Sequence, residues 1–137
     1  MKTALQDITV PNKTESLEKL RRFVLEFLAE SPFPARQQRL LVLAIDEAVT
    51  SNILFSEACN RNGTTRVTID LDETRLAVRI QDTGRDMDSE NEEHFDEYAR
   101  NARRFEMGIH LIRQIMDEMH YVYRKGFQND LELIKFT

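Results

Sequence analysis

The stretch from Ala35 to Ala58 constrains this chain more than any other. It contains neither glycine nor proline, and it is apolar over much of its circumference when wound at 100° per residue. A helix that long and that apolar belongs at the centre of a domain, so the other segments have to cover it. Ser31-Pro32-Phe33-Pro34 stands just before it and stops whatever precedes it, because proline cannot continue a helical hydrogen-bond ladder.

The flanking segments supply the cover. Residues 4–10 read as a strand ending at Pro11. Leu17, Leu20, Val24 (or Phe23), Phe27 and Leu28 recur at three- and four-residue spacing, which predicts an amphipathic helix with Thr14 or Ser16 as its N-cap. After the turn at Asn62-Gly63, residues 66–71 and 76–81 alternate by two and predict an antiparallel pair. A third helix is expected over about 108–119, with Ile109, Ile112, Ile115, Met116 and Met119 inward, followed by strands at 121–124 and 131–136. The expected fold class is therefore α+β. It is a two-layer sandwich in which a mainly antiparallel, mixed sheet of about five strands is covered on one face by three helices. The 137 residues suit one domain.

Residues 84–107 stand apart from this order. Seven acids fall between Asp86 and Glu97, followed by Arg100, Arg103 and Arg104. A long excursion of this kind in a compact domain tends to serve function, and it reads as a lid.

Composition excludes some classes of function. With 41% hydrophobic and 31% charged residues the chain suits a soluble globular domain. The net charge of -5 disfavours direct nucleic-acid binding, which needs a basic surface. No apolar run reaches membrane-spanning length, and a single cysteine, Cys59, fits a reducing compartment. The expectation is a cytoplasmic protein that engages neither membrane nor nucleic acid.

Three clusters place polar residues where the pattern wants apolar ones, or glycine where a ligand could approach. On the central helix Leu40, Leu41, Ala44, Ala48, Phe55 and Ala58 define the expected core side, with Asp46, Thr50 and Glu57 on the solvated side. Glu47, Ser51 and Asn52 fall within or beside the apolar sector. A carboxylate there is costly unless it is paired or lines a wet cavity. Asp82 ends a strand before Thr83-Gly84, as an acceptor that can be aimed into a pocket or as a simple turn residue. Gly108 stands where the third helix begins; it is either a cap or a place where backbone N–H groups meet an anion.

Those clusters, in that order, resemble the anti-sigma-factor serine/threonine kinases of the Bergerat-fold ATPase superfamily. Ile45-Asp46-Glu47-Ala48-Val49-Thr50 is similar to the start of the N box, Asp82-Thr83-Gly84 to the first glycine box, and the run from Gly108-Ile109 onward to the second. The resemblance implies ATP and Mg2+ as cofactors. It implies Glu47 as the base that activates a substrate serine, Asp82 as the adenine acceptor, and Gly84, Asp86, Gly108 and Ile109 around the nucleotide. It also implies a STAS-type antagonist protein and a sigma factor as partners, with a homodimer possible. The chain departs from the pattern at three places. Ser51 stands where the family has its magnesium-holding asparagine, and Asn52, one residue on, is rotated about 100° around the helix. Either Ser51 is a weaker ligand, or a bulge brings Asn52 round, or magnesium is not held. Asp86 replaces a glycine, and Glu106-Met107-Gly108 stands for Gly-X-Gly. Two functions follow as expectations: an ATP-dependent protein kinase, or a nucleotide-independent module that sequesters a sigma factor or its antagonist.

Overall fold

The computed structural model describes residues 3–58, 63–82, 108–123 and 129–137. Strand β1 (Ala4–Pro11) leads into helix α1 (Ser16–Ala29) and the central helix α2 (Ala35–Ala58). Strands β2 (Thr64–Leu71) and β3 (Arg75–Asp82) follow, then helix α3 (residues 108–115), then β4 (Glu118–Tyr123) and β5 (Asn129–Phe136). The strands form one sheet in the order β1-β2-β3-β5-β4, and every neighbouring pair is antiparallel. The expected α+β sandwich of five strands and three helices is the observed architecture. No helix among the described residues is long and apolar enough to cross a membrane.

Period-two patterning sets the sheet. On β2, Thr65, Val67, Ile69 and Leu71 are buried, while Arg66 and Asp70 between them are exposed. On β3 the buried set includes Leu76, Val78, Ile80 and Asp82. These inward residues meet Leu41, Ala44, Ile45, Ala48, Val49 and Ile53 of α2, all at most 3% exposed. Each fully buried aliphatic side chain contributes about 1.5–3 kcal/mol relative to exposure, so this layer dominates the fold. Helix α1 adds Leu20, Val24, Phe27 and Leu28 to the same core.

Three local expectations need correction. Leu40 is 41% exposed rather than part of the core. Asp46 is not merely solvated: Arg21 Nε and Nη2 donate to its two oxygens at 3.1 and 3.2 Å, tying α1 to α2. Helix α1 has Glu15 at its N-cap with no side-chain cap hydrogen bond, and the Ser16 hydroxyl donates back to the Pro11 carbonyl at 2.8 Å.

The third helix also stops earlier than its apolar spacing predicts. Lys135 Nζ donates to the Ile115 carbonyl at 3.0 Å, a cation at the negative end of the helix. Asp117 N donates to Ile134 O, and Asp117 Oδ2 accepts from Phe136 N at 2.7 Å. These contacts from β5 pull the chain into β4, so Met119 packs on the core from a strand.

Candidate functional site

Antiparallel register brings one end of three strands together. Pro11 lies opposite Thr64, and Thr65 opposite Asp82. Asn12, just past β1, donates its backbone N–H to Gly63 O at 3.0 Å, so the pairing of β1 with the chain before β2 extends one step further. Asn12, Thr65 and Asp82 are thus the terminal inward-facing residues of three neighbouring chain segments. They are 4%, 0% and 2% exposed.

Buried polar groups need partners, and these find one another. Asn52 Nδ2 on α2 donates to Thr65 Oγ1 at 2.9 Å. The Thr65 hydroxyl donates to Asn12 Oδ1 in a short hydrogen bond. Asn12 Nδ2 donates to Asp82 Oδ1 at 3.3 Å. A polar chain therefore runs from the central helix through β2 and the β1–α1 connection to the strand-end carboxylate.

The second contact to α2 comes from α3. Gly108, buried, is the first described residue of that helix. A Cβ at this position would stand 2.8 Å from Glu47 Oε1 and 3.1 Å from Glu47 Cγ. Contacts under 3.0 Å are closer than real Cβ atoms come, so the half-buried Glu47 lies across a gap that a larger residue would close. The close approach that Gly108 permits is to the Glu47 side chain.

Helix α2 therefore holds both halves. Glu47 and Asn52 are five residues apart, about 7.5 Å along the axis and about 140° around it. Ser51 is 8% exposed and lies about 40° around from Glu47, so it shares Glu47's side of the helix. Helix α2 continues without interruption from Ala35 to Ala58, and the Asn52 amide is turned to β2. That geometry does not fit Asn52 to a metal held beside Glu47. Ile109, half-buried, follows Gly108. Cys59, Gly84, Asp86 and the rest of the lid at 84–107 lie outside the described residues.

Two side chains that belong to this arrangement, Asn12 and Thr65, escape motif reasoning. Thr65 is the one polar member of an otherwise aliphatic inward set on β2, and that parity was its available signal. Asn12 continues the parity of Ile8 and Val10, but Pro11 hides it. Asp72, in the β2–β3 turn, is held below its usual value by the Thr74 N–H and hydroxyl and the Arg75 N–H. Arg79 is raised by its hydrogen bond and charge pairing with Asp130 on the outer sheet face.

Residues 10–135 match the histidine kinase-like ATPase domain family, which is nearly the whole chain, and the chain belongs to that family. No protein of curated function matches it.

Proposed function

We propose that this ATPase-family domain binds ATP with its adenine at Asp82 and, with magnesium, phosphorylates a serine or threonine of a small antagonist protein in the partner switching of a sigma factor. The observation that carries the reading is the meeting of Glu47 with Gly108 on the same helix whose Asn52 leads to buried Asp82. Glu47 is the base that takes the proton of the attacking hydroxyl. Asp82 accepts from the adenine amino group. The remaining catalysis is positioning and charge neutralisation, as in phosphoryl transfer generally. Magnesium would supply that neutralisation at the phosphates, and Ser51 is the uncharged oxygen donor on Glu47's side of α2. Leu40 and Leu43, 41% and 46% exposed, precede Glu47 at helical spacing and give a protein substrate an apolar surface beside the base.

A nucleotide-independent capture module is the second reading. It is favoured by one observation: the Asn52 amide donates to Thr65, away from Glu47's side of the helix.

Calorimetric titration with ATP and magnesium separates the two. Saturable binding that Asp82→Asn weakens at least tenfold supports the kinase reading. Absence of heat at millimolar nucleotide leaves the capture module. Transfer of labelled γ-phosphate to a co-purified antagonist, lost in Glu47→Gln with ATP binding retained, assigns the base.

A further inference from the structure

We propose that Asn12 and Thr65 are positioning residues that hold Asp82 as a hydrogen-bond acceptor, and that this fixed direction sets the preference for a purine with a 6-amino group over one with a 6-oxo group. The inference rests on Asp82 being the base-reading residue.

The direction follows from the donor inventory. A threonine hydroxyl has a single proton to give. Asn52 Nδ2 already donates into Thr65 Oγ1, so the hydroxyl proton points onward to Asn12 Oδ1. An amide whose oxygen is engaged in this way presents its nitrogen on the other side, and Asn12 Nδ2 faces Asp82 Oδ1. Turning the amide over would set two acceptors face to face, Asn12 Oδ1 against the carboxylate. Every link thus points from α2 toward Asp82 and meets it as an acceptor. A carboxylate has about four acceptor sites, so the bond to Asn12 does not exhaust it.

An acceptor held rigidly in a buried position discriminates strongly. A 6-amino group donates to it, whereas a 6-oxo group sets a second acceptor against it and moves the ring's nearest donor to N1–H, out of line with an acceptor held in one direction. Thr65 touches only Asn12 and Asn52 in this relay, so it acts on the base through them. Asn12 and Thr65 stand on segments distant in sequence and do not belong to the glycine boxes or to the N box.

The test is the ratio of affinities for ATP and inosine triphosphate, which differ at the purine 6-position and in the hydrogen that inosine carries on N1. It is measured by calorimetry with magnesium, on the full chain, for wild type, Thr65→Ser, Thr65→Val and Asn12→Asp, each first checked for a cooperative thermal melt. The expected result is preference for ATP in wild type, kept within about threefold by Thr65→Ser and reduced at least tenfold by Thr65→Val. Asn12→Asp puts a second carboxylate beside Asp82, where the pair shares a proton and gains a donor, so it narrows the ratio further. If Thr65→Val does not fold, Asn12→Asp against Thr65→Ser decides. Wild type that binds ATP with a ratio unchanged in Thr65→Val or Asn12→Asp overturns this inference alone. Wild type that binds neither nucleotide overturns the ATP reading at Asp82 and this inference with it.

Discussion

The two faces of the sheet handle polar side chains in opposite ways. On the outer face Arg66 pairs with Asp7 and Arg79 with Asp130, each side chain more than a third exposed. On the inner face Asn12, Thr65 and Asp82 are almost wholly buried and joined to α2 through Asn52. The outer pairs keep charges in water and cross neighbouring strands, which makes them replaceable. The inner groups had to be desolvated, and each now depends on the next. The chain of bonds ends on the Asp82 carboxylate, at the strand end nearest α2's Asn52.

The sharpest way to break this contrast is to remove one inner partner. Asn12→Ala leaves the buried Asp82 carboxylate and the Thr65 hydroxyl each short of a bond. The expected loss is about 2–3 kcal/mol, the scale for a buried hydrogen bond to a charged group. Urea unfolding measures it. In the double variant with Asp82→Ala the cost of Asn12→Ala should shrink, because the stranded carboxylate is gone. Equal costs in both backgrounds would mean that the buried chain is no more coupled than a surface pair.

Gly108 gives a smaller, sign-sensitive test. Alanine favours a helix over glycine by about 1 kcal/mol. Against that gain, its Cβ would stand 2.8 Å from Glu47 Oε1 and force the carboxylate aside. Gly108→Ala should therefore stabilise a Glu47→Ala protein more than it does the wild type. Thermal melts of the four proteins give the cycle. An additive result would show that Glu47 moves away freely.

The contrast also explains what could be read ahead of the coordinates. Local periodicity sufficed for α2, whose bounds at Ala35 and Ala58 are as expected, and for the hairpin of β2 and β3. The three clusters at Glu47, Asp82 and Gly108 were visible as polar or glycine residues out of pattern. What escaped depended on partners far along the chain. Apolar spacing carries α3 on to Met119, but Lys135 caps Ile115 and Asp117 engages Phe136, and no local pattern reports a contact from β5. Leu40 fits the apolar sector of the wheel, yet it is 41% exposed. Asn52, one residue from where the resemblance expects a metal-holding asparagine, is claimed by Thr65 thirteen residues away. Strand parity carried the clue to Thr65, a polar residue in a buried aliphatic row; Asn12 needed the register of β1 on β2 as well.

On the outer face, Arg79→Ala should cost less than about 1 kcal/mol and less still in high salt, because both partners remain in water. Nearby, one exposed carboxylate imitates the bonding of Asp82 without its burial. Asp72 Oδ1 accepts from Thr74 N, Thr74 Oγ1 and Arg75 N at 2.8, 2.9 and 2.9 Å, at the opposite end of the hairpin from Asp82. Those bonds hold its pKa below the ordinary 3.8. A group with a depressed folded pKa contributes stability that is present above its unfolded pKa and lost as pH falls through the folded one. Asp72→Asn should accordingly lower the Tm slightly at pH 6, and the gap to wild type should close below about pH 4. A gap that persists into strong acid would mean that the turn depends on the shape of the side chain and not its charge. The two ends of β3 would then differ in burial alone.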